Sequence, residues 1–174
     1  RAGGGFDRGR APGRAASQPR AGLRAGKVAL PDPPRSLEPG DVRAFREAVV
    51  RRHMESENEH DFDTTLETFS HPRYELIATG QVHDGEAAVR EYFRASRSSF
   101  PDQRNELISL RHADDAVIVE LWLLGTHQGR LGALEPTGRT FRTRMMAFFI
   151  FDDEGIVCER VYFNPGDILR QISV

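Results

Sequence analysis

The sequence predicts an α+β domain, with helices packed on one face of a curved antiparallel sheet. Three observations predict it. The 174 residues suit one domain of ordinary size. Apolar residues recur at helical spacing up to about residue 100 and at strand spacing beyond it. Runs of helices followed by runs of strands segregate into an α+β architecture rather than alternating βα units.

The first helix is expected from Asp41, as its cap, to about Glu59. Val42, Phe45, Val49 and His53 share one face, with Val50 and Met54 beside it. His53 on that face reads as a satisfied core residue. Asp61 or Asp63 starts a short second helix striped by Phe62, Leu66 and Phe69, and His71-Pro72 ends it. Tyr74–Ala78 reads as a short strand and Gly80 as a turn. Asp84 caps a third helix, with Val89, Phe93, Ser96 and Phe100 on its buried side, and Pro101 stops it.

Four consecutive strands follow: Arg104–His112, Ala116–Gln128, Arg139–Phe151 and Ile156–Asn164. Asp114-Asp115 and Asp152–Gly155 supply tight turns, and Gly129–Gly138 is a loop with three glycines and a proline. Pro165 opens a last helical turn bearing Ile168, Leu169 and Ile172.

Residues 1–40 differ in composition. They hold 8 of the 16 glycines, 6 of the 10 prolines, and 8 basic residues against 3 acidic ones. Their few large apolar residues have no period, so this Arg/Gly/Pro/Ala-rich leader is expected to be disordered, with the folded domain at 41–174. An RNA-binding tail or a transit peptide would share this composition; a solvated leader is the plainer reading. The whole chain carries 24 basic and 26 acidic residues, a balance that argues against a dedicated nucleic-acid or anionic-membrane binder. No apolar run approaches the roughly 20 residues of a membrane span. With no targeting signal visible, the cytoplasm is the expected location. Cys158 is the single cysteine, which excludes an internal disulfide and a Cys-rich zinc site. The six histidines show no ligand spacing, so no metal is expected.

Several stretches between Val50 and Ile172 carry a family resemblance. They are His71-Pro72-Arg73-Tyr74-Glu75, Asp84-Gly85, Phe100-Pro101-Asp102, Gly125-Thr126-His127-Gln128-Gly129, Pro136-Thr137-Gly138-Arg139, Glu159-Arg160-Val161-Tyr162-Phe163 and Leu169-Arg170-Gln171. In this order they resemble the SnoaL-like polyketide cyclases and their ester-cyclase-like relatives, within the nuclear transport factor 2-like superfamily. The resemblance implies a cone-shaped antiparallel sheet closed by three helices, a pocket inside the cone, and a homodimer. It also implies aldol-type cyclisation or isomerisation with no metal or organic cofactor. Two departures stand out. The position of the family's acid/base aspartate matches Ala147, and a lysine frequent at the last hairpin is absent, because Ile156 follows Gly155. An acid is also more usual at the position of Asn164.

Alternation assigns the faces of the strands. Phe141, Thr143, Met145, Ala147, Phe149 and Phe151 are assigned to the concave interior, opposite Arg142 and Arg144. Val117, Val119, Leu121, Leu123 and His127 share one parity of the preceding strand. If that set lines the cone, His127 sits at its rim and Trp122 lies on the convex face, where a second copy could cover it. A one-residue bulge would exchange the sets.

His127 is the leading catalytic candidate, because imidazole exchanges protons near neutral pH. The competing reading is a loop histidine bonded to backbone. Tyr74, beside His71, could donate to a developing enolate oxygen, or simply pack its ring. Glu159 could assist a base, or pair with Arg142 or Arg144 across the hairpin. Tyr162 and Asn164 have the opposite parity to Glu159, so both sets cannot face the pocket. Together with His71, Leu121, Leu123, Met145, Ala147 and Phe149, they complete the expected substrate-contacting set. Cys158, in mid-strand, reads as packed rather than nucleophilic. The expected function is a cofactor-free cyclase or isomerase acting on an apolar, carbonyl-bearing, polyketide- or steroid-like substrate. A noncatalytic binder of an apolar ligand in the same cone is the alternative, motivated by Ala147. A module that dimerises through the convex face is a third.

Overall fold

The computed structural model describes residues 29–32, 38–153 and 155–173. The leader expected to be disordered lies almost wholly outside them. Helix α1 spans Pro39–Glu59, α2 Phe62–Glu67 and α3 Glu86–Ser99. The strands are β1 (Arg73–Leu76), β2 (Gln81–Asp84), β3 (Arg104–His112), β4 (Ala116–Thr126), β5 (Thr140–Phe151) and β6 (Ile156–Phe163), and α4 spans Pro165–Ile172. The expected α+β architecture is present: one six-stranded sheet in the order β2-β1-β6-β5-β4-β3, with helices against its inner face. No described helix is long and apolar enough to cross a membrane.

Local sequence explains most element ends. Pro39 sits at the start of α1, where a fixed φ and a missing N–H cost nothing, so the helix begins two residues before the expected cap. Asp41 lies in the first turn instead, where a carboxylate suits the helix dipole. Asp61 caps α2: its carboxylate accepts from the Thr64 backbone N–H at 3.2 Å and from the Thr64 hydroxyl at 2.7 Å. Asn164 caps α4, its Oδ1 accepting from the Asp167 N–H at 3.2 Å.

The expected cap at Asp84 is corrected. Gln81–Asp84 is a strand antiparallel to β1, and the residue before α3 is Gly85 with φ of 85°. That positive φ is open to glycine and closed to most side chains. Asp84 instead accepts from His71 Nε2 at 2.7 Å and from Arg73 Nη1 at 2.6 Å.

The β3–β6 strands pair antiparallel in sequence order, while β1 joins β6 in parallel. A register shift between Leu107 and Ser109 places one bulge in β3, and a second, opposite Ile150 and Phe151, falls in β6, so β4 and β5 keep their alternation. Val117, Val119, Leu121 and Leu123 are buried on the inner face with Phe141, Met145, Ala147, Phe149 and Phe151 of β5. Helices α1, α2 and α3 cover this face through Val50, Leu66, Val89 and Phe93. Each fully buried side chain of that size contributes about 1.5–3 kcal/mol.

Candidate functional site

The core does not fill the cone. Between α3, α4, the β1–β2 hairpin and the inner sheet face lies a cavity of about 560 Å³. Its sheet side is apolar: Leu76, Leu123, Phe141, Met145, Val161 and Phe163. Its helix side is polar, with Glu57 from α1, Tyr92 and Ser96 from α3, and Gln103 and Asn105 from the entry to β3. Tyr74 and His83 reach it from β1 and β2, and exposed Gln81, Glu91 and Leu169 lie at its rim. A volume of this order suits a small organic molecule of two to four rings.

The polar groups are linked. Parallel pairing sets Tyr74 in register with Glu159, near enough for the carboxyl charge to act on the phenol. Behind Glu159 stands His53, its Nε2 3.0 Å from Glu159 Oε2 but not aligned as a hydrogen bond. His53 Nδ1 meets the Thr68 hydroxyl at 2.8 Å. On the cavity side the Tyr74 and Tyr92 rings pack against one another, centroids 4.8 Å apart and tilted by 34°. A row of neighbouring polar groups thus runs from Thr68 through His53, Glu159 and Tyr74 to Tyr92. Burial raises the pKa of Glu159 despite the opposing His53, and raises both tyrosines well above their ordinary value.

His83 lies against the Tyr92 ring at 4.8 Å, and its Nε2 is buried without a partner. Burial lowers its pKa below the usual 6.5, so the imidazole is neutral at pH 7. A second set, on the α1–β3 side, centres on Glu57. It accepts from Arg97 Nη2 at 3.1 Å and from Asn105 Nδ2 at 2.8 Å. Asn58 clamps the Asn105 backbone with two bonds, one at 2.7 Å and one at 2.9 Å.

The structure brings Tyr74, Leu123 and Met145 of the expected set into the cavity wall and leaves the others outside it. His127 is corrected from the rim to the interior of a loop. It is fully buried behind Phe100, ring centroids 5.8 Å apart, and its Nδ1 faces Thr137. Its backbone is held by Arg139 O and Gly138 N, at 2.9 Å each, which is the loop-histidine reading. Glu159 is on the inner face, so its expected pairing with Arg142 or Arg144 is replaced by His53 and Tyr74. Those arginines stack on Trp122 on the outer face, 3.9 and 4.5 Å from the ring centroid. Leu121, Ala147 and Phe149 are packed core rather than cavity lining. His71 is exposed and pairs with Asp84. Tyr162 is exposed on the outer face beside Phe148, and Asn164 is a helix cap. Cys158 is packed, its thiol pushed up to about 11 by burial.

Sequence reading passed over Glu57, His83, Tyr92 and Asn105. His83 was hidden because β2 is only four residues long and was read as turn and cap. Glu57 and Asn105 are 48 positions apart, so only the fold joins them.

The sequence profile of the SnoaL-like polyketide cyclase family matches residues 47–172, which include every helix and strand except the first turns of α1. The chain belongs to this family. No curated protein matches it significantly in sequence. Solved structures similar to this SnoaL-like chain include a provisionally assigned SnoaL-like polyketide cyclase from Jannaschia sp. CCS1. It is 17% identical with a TM-score of 0.68, covering 74% of this chain and 92% of that one. IdmH from Streptomyces antibioticus, provisionally a polyketide cyclase, is 21% identical with a TM-score of 0.65, covering 74% and 99%. A Catenulispora acidiphila protein with a ketosteroid isomerase-like fold is 15% identical with a TM-score of 0.63, covering 72% and 92%. At these identities the likeness is one of fold, which hosts more than one chemistry.

Proposed function

We propose that this SnoaL-like protein is an enzyme that moves protons on an apolar, carbonyl-bearing substrate, cyclising or isomerising a polyketide-like molecule. One observation carries the reading: a neutral imidazole and two mutually packed tyrosines meet in the wall of an otherwise apolar cavity. In this reading His83 takes the proton from a carbon next to the carbonyl, and the C–H electron pair becomes an enolate. Tyr92 donates a hydrogen bond to the enolate oxygen, and Tyr74 with Glu159 holds Tyr92 in place. In a cyclisation the enolate carbon attacks a second carbonyl of the same chain. The new C–C bond leaves an alkoxide, which takes the proton back from His83.

The experiment is solvent exchange. An enolisable bicyclic ketone is incubated in D2O with wild type and with His83→Ala, and deuterium at the α-carbon is followed by NMR. Acceleration by wild type that falls about 10²-fold or more in the variant is expected. Background rates in both proteins would leave only the noncatalytic ligand carrier.

We infer also that a second copy covers the outer sheet face. Trp122 between Arg142 and Arg144, with Met146 and Tyr162 over 40% exposed, supports this. Sedimentation at micromolar concentration that yields only monomer would oppose it.

A further inference from the structure

One acceptor in the polar wall of the cavity lacks a hydrogen. The Ser96 hydroxyl donates to Gln103 Oε1 at 2.8 Å, and the Ser99 hydroxyl to the Arg130 carbonyl at 2.8 Å. Asn105 Nδ2 donates to Glu57 Oε2. That bond fixes the amide, because a flip would set Asn105 Oδ1 against the carboxylate. Asn105 is only 7% exposed, and its Oδ1 is buried with no partner. The wall therefore offers an acceptor where almost every buried polar atom of a folded protein is satisfied.

We propose that this wall is a subsite for a neutral hydroxyl group, phenolic or enolic, carried on an otherwise apolar ligand, with Asn105 Oδ1 accepting its hydrogen. The proposal rests on the reading of the cavity as a ligand site and adds the chemistry of one edge of that ligand. A carbonyl would meet Asn105 acceptor to acceptor. A cation has no unpaired negative charge to answer, because Arg97 already neutralises Glu57 at 3.1 Å. The ligand then lies with its bare face on Leu123, Met145 and Val161, its hydroxyl edge toward Asn105, and its carbonyl toward Tyr92 and His83. Such two-sided polarity discriminates by what it leaves unpaired: a ligand lacking the hydroxyl strands the buried oxygen.

Calorimetric titration of the full chain with 2-naphthol and with 2-methoxynaphthalene tests the subsite. The ether is the more apolar of the two, so hydrophobicity alone predicts that it binds better. We expect the naphthol to bind at least about 10-fold tighter, and Asn105→Leu to bring the ratio to one or below while still binding the ether. Should that variant fail to fold, the wild-type ratio decides. A wild-type ratio of one or less, with both ligands bound, overturns the subsite and leaves the cavity reading standing. Binding of neither overturns both. Tighter binding of 1-naphthylmethylammonium than of naphthol overturns the neutral class.

Discussion

His53 Nε2 and Glu159 Oε2 lie 3.0 Å apart with both side chains closed to solvent, joining α1 to β6 through the core. Ala147 of β5, which the family resemblance matches to an acid/base aspartate, is fully buried opposite Val161 of β6. The inner-face carboxyl of this chain instead comes from β6, one strand away, and is held against the cavity tyrosine Tyr74. It has the placement of a group that orders the tyrosines rather than one that touches substrate.

The first prediction concerns that carboxyl. Burial raises the Glu159 pKa above 4.5, so the folded chain holds this proton more tightly than the unfolded chain. The stability it brings is complete below about pH 4.5 and is lost as pH rises through the folded pKa. Glu159→Gln keeps the shape and does not titrate. Its stability relative to wild type should therefore rise as the pH goes from 4 to 7, measured by urea unfolding at several pH values. Glu159→Leu removes the polar group facing His53 Nε2 in the core, and should cost about 1–3 kcal/mol. A pH-independent difference for the Gln variant would show that folding leaves the Glu159 pKa unchanged, and a relative stability that falls with rising pH would show that the fold holds it ionised.

A second prediction concerns rate. If His83 is the base, its protonated form is inactive. Burial lowers its pKa from 6.5, so kcat/KM should climb with pH below that value and be level at neutrality. His83→Ala should lower the plateau about 10²–10⁴-fold and remove the acid limb. A limb that survives in His83→Ala assigns the base to another residue.

The fold was legible because the apolar period changes once, near residue 100, and because punctuation by Pro101, Pro165 and the paired aspartates is strong. The inner face of β4 and β5 followed from alternation, since the bulges fell in β3 and β6. The site was much less legible, for a physical reason. The spaced motifs that carry the family resemblance tie loops together. Asp102 of Phe100-Pro101-Asp102 accepts from the Thr126 N–H and hydroxyl, each at 2.6 Å, and His127 is locked to Thr137. Cavity residues such as Glu57 and Asn105 sit within ordinary-looking helix and strand sequence and acquire a role only through contact.

A third prediction follows from those loop ties. A Cβ on Gly129 would meet the Ser98 carbonyl oxygen at 1.8 Å, and that oxygen is backbone at the end of α3. The neighbour cannot rotate away, and the Gly129 N–H is bonded to Ser99 O at 3.0 Å. Gly129→Ala should destabilise by about 1–3 kcal/mol or more. Gly132→Ala has open space and only a positive φ of 58° against it, and should cost about 1–2 kcal/mol. Thermal melts of the pair give the order, and equal costs would contradict the close approach.

The last prediction asks where a ligand sits. Ala95 is exposed on α3 and lines the cavity. Ala95→Trp adds an indole that can turn into the opening without entering the packed core. Its melting temperature should stay within a few degrees of wild type, since substitutions away from the core usually change stability by about 0.5 kcal/mol or less. Its affinity for 2-naphthol should fall at least about 10-fold, because an aromatic ligand and the indole need the same space. A second cleft, near 410 Å³ and lined by Asp102, Arg104, Arg142 and Gln171, lies on the other side of Phe141. It is polar where the first is apolar, and Ala95 is not part of it. Unchanged affinity in Ala95→Trp, together with loss in Arg142→Ala, would move the ligand there and empty the cone of its function.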